Sequence, residues 1–567
     1  MKTLISVFVL IFVLQSCSAG DDSSGSQNYN NSNNINNINN VNNTNNGGNV
    51  NIGGVQDIGL FREIIEAGDI PAPSTLTANG FFSEHYLEYP FGSCEERLCL
   101  NGMIGRGESL LSNDYMNALQ VVMKSYVDPS DYVRPPTDFI VVIDVSGSMY
   151  TDEKLQYAKQ GLHLMVDSLK ADDRLALISY SDWARELLTL TFADGITSKD
   201  TMHAAISSLV PSGSTNIYDG LSMAFDVASQ SAVDDRYARI VFLSDGVPTS
   251  GITDESAIIN ISREATSDRV QLTSIGVGYD VNYELMKELA MAGGNFYFLE
   301  DGPALTEIFV QELDFFAFPI AKDIHITLNA GNSFYAGDAV GFDQWIPSEG
   351  GGSAFIPAVY AASRVSSSTE DPTTRRGGGS ALFVRLVSQN ADRDLGGMML
   401  TMEYTDPDEN IPVYQEVSVD SLAGGDGIVP VDSYYSEEVM KKSFLMLNLF
   451  LALQEVCQRA VNYNYEGART LLIATIDHAM AVNALLEDED ITNDIDLMNR
   501  LLNNLGYVYD DDYYCDSEDC YYDDHYYQDE TVNYGCSTSG PVTGSFPLVL
   551  AFLLGLALIR KMRKQQK

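Results

Sequence analysis

FIVVIDVSGSMY, Phe139 to Tyr150, is an apolar run that stops at Asp144 and then sets Ser146 and Ser148 on either side of Gly147. A continuous apolar run bounded by turn residues predicts a strand buried on both faces. Its end in a carboxylate and two hydroxyls puts three hard oxygen donors at one point of the chain. Downstream, KLQYAKQGLHLMVDSL brings Leu155, Ala158, Leu162, Met165 and Leu169 to one helical face. RLALISYS, ARIVFLSD, VQLTSIGVG and NFYFLE read as strands. KDTMHAAISSL, IYDGLSMAFDVAS, ESAIINISREAT and YELMKELAMAGG read as helices. The alternation predicts an α/β unit over residues 137–318, a doubly wound, mainly parallel sheet with Rossmann-like winding.

In open sheets of this class, ligands bind beyond the carboxyl ends of the strands. There the sequence places Asp144, Ser146 and Ser148 after the first strand and Asp245 in the SDG turn after ARIVFLSD. Thr215 lies in the intervening GSTNIYDGL loop. Two carboxylates and three hydroxyls suit Mg²⁺, Mn²⁺ or Ca²⁺ and not Zn²⁺. With only two charged donors, a weak site with positions open to water or an outside ligand is expected.

DVSGSM, GSTN and SDG, in this order and on these elements, resemble the metal-ion-dependent adhesion site of von Willebrand factor type A domains. The resemblance covers about residues 137–318. It implies that Ser146 and Ser148 bind the cation directly, Thr215 directly or through water, and Asp144 and Asp245 mainly through waters. It further implies that the sixth position goes to a carboxylate of a protein partner. On this reading the chain is an adhesion or protein-binding molecule and not an enzyme. The alternative is an envelope scaffold, or an accessory subunit of a larger complex, in which the metal is structural. Catalytic signals are weak: the six His residues are scattered, and VSGSM is not a G-x-S-x-G elbow.

Flanking segments read differently. Residues 319–430 carry HITL, SALFVRLV, GGMMLTMEY and VYQEVSV between Gly-, Pro- and Asp-rich turns, which predicts an antiparallel β-domain. YMNALQVVMKSYVD, residues 115–128 of an N-terminal flanking region (57–136), adds a strand to that domain if the α/β unit is inserted into it. Residues 431–506 switch to helical periodicity and predict a packed helical segment.

The 567 residues carry 33 Lys and Arg against 79 Asp and Glu, a formal net charge of -46. Such a surface repels phosphate backbones and argues against nucleic acid as a partner. MKTLISVFVLIFVLQSC predicts a secretory signal over residues 1–16. Leu14-Gln15-Ser16-Cys17 resembles a bacterial lipobox, which implies cleavage before Cys17 and lipidation of Cys17. The Asn-rich tract within residues 17–56 has too few apolar groups to offset ordering entropy, and is expected to be a disordered tether from the lipid. The layout resembles bacterial surface lipoproteins, so the expected location is the lipid-anchored envelope, at the outer membrane or cell surface.

Cys94 and Cys99 share the C-x4-C spacing of Cys515 and Cys520. In an exported chain these suit two local disulfides, and the rival reading is reduced metal-binding pairs. Cys457 sits in an apolar helix and is expected to be a buried free thiol. Residues 507–541 form an acidic, Tyr-rich stretch that reads as a solvated stalk. Residues 542–560 are apolar and end in a basic tail to 567, but the apolar run Phe546–Ile559 falls short of the roughly 20 residues of a stable span. Two readings fit: an inner-membrane anchor, or a sorting signal. Cys536, the marginal span and the basic cluster resemble the Cys-bearing sorting tails of myxobacterial surface proteins, which implies cleavage near Cys536.

Overall fold

The computed structural model describes residues 48–510, except 56, 92–95, 113, 127–133, 234–235, 267–268, 292–293, 300–301, 317, 365, 367–374, 390–393, 395 and 423–427. Cys17, Cys94, Cys515, Cys520 and Cys536, with the signal, residues 511–541 of the expected stalk and the C-terminal apolar segment, lie outside the described residues; residues 507–510, expected in the stalk, instead continue the helix that begins at Glu489.

The segment expected as tether contributes two strands, β1 (Gly48–Ile52) and β2 (Gly54–Val55). Val50 and Ile52 are buried in the β core. Asn49 is buried too, and its Nδ2 donates to the carbonyls of Leu87 (2.9 Å) and Gly378 (3.0 Å). Composition conceals these strands because an Asn-rich stretch lacks apolar alternation, while the Asn49 amide finds its partners far away in sequence. Then come α1 (Gly59–Glu66), α2 (Ala78–Ser83) and the antiparallel pair β3 (Cys99–Glu108) and β4 (Tyr115–Ser125).

The α/β unit begins with β5 (Thr137–Asp144), followed by α3 (Lys154–Ser168), β6 (Arg174–Tyr180), β7 (Ala184–Phe192), α4 (Ile196–Ser207) and α5 (Ile217–Val233). It continues through β8 (Tyr237–Ser244), α6 (Glu255–Ala265), β9 (Val270–Val277), α7 (Tyr283–Ala290) and β10 (Asn295–Leu299), then the short helices α8 (Gly302–Thr306) and α9 (Leu313–Phe316). The spatial order is β2-β10-β9-β8-β5-β6-β7, parallel except for β7. β5 lies inside the sheet, and every one of its residues is buried. Phe139, Val141 and Ile143 pack with Leu155, Leu162 and Met165 of α3, whereas Ile140 and Val142 face α5 and α7. This explains the unbroken apolar run. The edge strand β7, half-exposed along ARELLTLTF, is absent from the sequence reading.

The second sheet is antiparallel. It contains β11 (Ala321–Asn329), β12 (Phe334–Val340), β13 (Trp345–Ser348), β14 (Gly351–Ala361), β15 (Leu382–Ser388), β16 (Met398–Thr405) and β17 (Pro412–Val419). Its path is β12-β15-β4-β1-β14-β11-β16-β17, with β3 on β4 and β18 (Tyr434–Tyr435) on β3. Since β1, β3 and β4 precede the α/β unit and β11 to β17 follow it, that unit is an insertion into the β-domain. The helical segment is α10 (Val439–Val461), α11 (Tyr465–Leu486) and α12 (Glu489–Asp510). Among the described residues α10 is the one helix long and apolar enough to cross a membrane, and 67% of its apolar window is buried within the protein. Phe444, Leu449 and Leu453 of α10 share a core with Phe81 and Phe82 of α2. Beside that core, His85 Nε2 meets Asp494 Oδ2 at 2.8 Å, and Asp490 takes Arg364 (2.8 Å) and Lys442 (2.9 Å).

Candidate metal centre

β5 and β8 pair in parallel, so Asp144 and Asp245 emerge at the same sheet edge. The chain turns at once after Asp144: Ser146 N donates to Asp144 Oδ1 (2.8 Å), and the Ser146 and Ser148 hydroxyls lie 2.9 Å apart. This turn is tied to the loop before α5, since Ser212 N donates to Val145 O (2.6 Å) and Gly147 N to Gly213 O (3.0 Å). Thr215 N donates to Thr249 Oγ1 (2.9 Å), and Thr215 O accepts from the amides of Thr249 (2.9 Å) and Ser250 (3.1 Å). The three loops therefore fix one another largely through their backbones. Asp144, Ser146, Thr215 and Asp245 are buried, and Ser148 is half-buried.

The electrostatics are those of crowded anions. Asp144 Oδ2 accepts from Ser244 Oγ (2.8 Å) and Tyr180 OH (3.3 Å). Burial, and secondarily the Asp245 carboxylate, still push Asp144 up to about 6. Burial and the Asp144 charge likewise raise the Tyr180 phenol well above its ordinary 10. Asp245 Oδ2 lies 3.5 Å from the buried Lys154 Nζ. Asp245 Oδ1 is buried and has no hydrogen-bond partner among the described residues. A carboxylate oxygen left this way is costly unless a cation or donor satisfies it.

Sequence reading missed Tyr180, Lys154 and Asp182. Tyr180 is in register with Asp144 across the parallel pair, a relation visible only once strand order is known. Asp182, in the β6–β7 turn, accepts the Ser214 amide (3.0 Å) and hydroxyl through Oδ1, steadying the loop that carries Thr215. Those bonds hold the exposed Asp182 carboxyl below the usual range. Around the site Tyr150, Trp183, Val210 and Val247 are exposed. Val145, Trp183, Val210 and Ser212 line a neighbouring cleft of about 430 Å³.

Residues 138–311 match the model of the von Willebrand factor type A domain. The inserted α/β unit is a von Willebrand factor type A domain. Similar curated proteins include the uncharacterized protein YfbK of Escherichia coli (strain K12), 30% identical over 192 residues, or 34% of this chain and 33% of that protein. Inter-alpha-trypsin inhibitor heavy chain H4 of Homo sapiens is 33% identical over 177 residues, 30% of this chain and 19% of that one. The chain thus spans a third or less of either relative. Among solved structures, von Willebrand factor type A from Catenulispora acidiphila superposes with a TM-score of 0.44 at 14% identity, covering 70% of this chain and 89% of that one.

The remaining candidates lie apart. Cys457 is a free, buried thiol within α10, and burial raises it to about 12. Cys99 opens β3, while Cys94 lies outside the described residues, so the pairing of Cys94 with Cys99 remains a proposal. His163 sits 2.8 Å from His203 on the α3–α4 surface, and His478 lies half-buried on α11.

Proposed function

We propose that the chain is a cell-envelope adhesion or protein-binding lipoprotein whose type A domain grips an acidic group of a protein partner through a divalent cation. Domains of this type mediate protein–protein interaction. The metal role rests on one observation: Asp245 Oδ1 is buried without a hydrogen-bond partner among the described residues, and the Asp245 carboxylate lies close enough to Asp144 to raise it. Hard oxygens of this number fit Mg²⁺, with Mn²⁺ and Ca²⁺ as congeners.

Ser146, Ser148 and Thr215 would hold the cation, and Asp144 and Asp245 would supply the negative charge that retains it. When bound, the cation supplies a Lewis-acidic position for an outside carboxylate. The chain's own residues do the rest. Ser244 and Tyr180 orient Asp144, Asp182 steadies the Thr215 loop, and exposed Tyr150, Trp183, Val210 and Val247 offer apolar contact around the opening. Anchorage through lipid on Cys17 and export to the envelope follow from the N-terminal sequence alone.

The test is capture of partners from envelope extracts by the full-length protein in Mg²⁺, in EDTA, and with Asp144→Asn. Capture that needs Mg²⁺ and is lost in the variant supports the reading. Capture indifferent to both replaces it with a scaffold role in which the β and helical regions bind.

A further inference from the structure

We infer that Lys154 is the resident counter-ion of the metal site, a positive charge that an incoming divalent cation must displace; the inference rests on the metal reading above. Lys154 opens α3, and the two residues before it, Asp152 (φ 51°) and Glu153 (φ 56°), both take the left-handed backbone that side chains disfavour. That turn brings Lys154 into the fold, where it is 2% exposed. Its stem passes Gly278 (φ 84°), where a Cβ would lie 2.3 Å from Lys154 Cε, so that a larger residue would close the channel.

A buried ammonium needs opposite charge, and Lys154 has it on both sides. Nζ lies 3.5 Å from Asp245 Oδ2, whose side chain is 2% exposed, and is ion-paired with Asp280, whose side chain is 62% exposed. Asp245 is therefore served on one oxygen by Lys154 and, among the described residues, bare on the other. A cation drawn to Asp245 meets a like charge at close range, where the repulsion is screened least. Asp280, in the turn between β9 and α7, is the alternative seat toward which the lysine's attraction shifts. The arrangement neutralises part of the carboxylate pair in the metal-free protein and lowers the affinity for metal by the same interaction.

The experiment titrates Mn²⁺ alone into chelator-stripped full-length protein by calorimetry. Lys154→Met should bind Mn²⁺ at least about tenfold more tightly, because removing a like charge within this range shifts ionic equilibria by one order of magnitude or more. Lys154→Gln should shift in the same direction. Asp280→Asn, a surface change, should weaken Mn²⁺ binding roughly two- to fivefold by confining the lysine to Asp245. The double variant Lys154→Met, Asp280→Asn should bind like Lys154→Met alone. A lysine with a merely structural role would give weaker binding when lost. Equal or weaker binding in both Lys154 variants overturns the inference while the metal reading stands; no Mn²⁺ binding by the wild type overturns both.

Discussion

Asp144→Asn should stabilise the metal-free protein and abolish its response to metal. In the absence of a cation, burial and the neighbouring Asp245 carboxylate raise Asp144 from 3.8 to about 6. Keeping that carboxyl ionised at pH 8 costs the fold about 3 kcal/mol, at about 1.4 kcal/mol per tenfold in proton affinity. Because the folded-state value lies above the unfolded one, this stability is complete below about pH 3.8 and lost as the pH rises through about 6. The amide avoids that loss but forfeits about 1 kcal/mol of hydrogen bonding, since Oδ2 now accepts from both Ser244 Oγ and Tyr180 OH. The net gain in EDTA at pH 8 is about 2 kcal/mol, or roughly 4–8 °C in the melting transition of the type A domain. Near pH 4 the order reverses, and the variant is the less stable by about 0.5 kcal/mol. With Mg²⁺ at one hundred times its dissociation constant, the wild type gains about 2.7 kcal/mol and the variant gains nothing. Scanning calorimetry in EDTA and in Mg²⁺ at both pH values reads all of this. A variant that melts below the wild type in EDTA at pH 8 would refute the crowded-anion argument.

Other consequences are separate. His85→Ala should lower stability by about 3–5 kcal/mol by stranding the buried Asp494. Burial alone would lower the His85 value, but Asp494 more than offsets it, so the folded value lies above 6.5. The stability His85 contributes is thus complete below pH 6.5 and lost as the pH rises through its folded value, and the deficit measured by urea unfolding should shrink from pH 6 to pH 9. A deficit constant with pH would contradict the assignment. Non-reducing peptide mapping should join Cys94 to Cys99 and Cys515 to Cys520; a peptide containing Cys457 in a disulfide would overturn that pairing. One tag in the β-domain and another after Lys567 should part company if the C-terminal segment is a sorting signal, whereas both tags on one inner-membrane band would establish the anchor.

The α/β unit was legible because its strands are buried on both faces and its helices are amphipathic, so apolar runs and helical periodicity report directly on position. The positions of Asp144, Ser146, Ser148 and Asp245 at or just beyond strand ends, and of Thr215 in the loop before α5, were legible from the apolar runs and turn residues around them. Lys154 and Tyr180 were not, because each reaches the site through the sheet order and not through spacing. β7, β12, β13 and β14 escaped notice because edge position, half-exposure and glycine content blur alternation in FYAGDAV and GGSAFIPAVYA. β1 escaped because its neighbours in sequence are Asn-rich, and its strand character comes from β4 and β14, which pair with it from far along the chain.

The central claim is that the loops after β5, before α5 and after β8 hold a divalent cation. Anomalous scattering from crystals soaked in Mn²⁺ tests it most directly. The account predicts a single strong peak within about 2.5 Å of the Ser146 and Ser148 hydroxyl oxygens. No peak there at saturating Mn²⁺, or an equal peak in Asp144→Asn crystals, would contradict it.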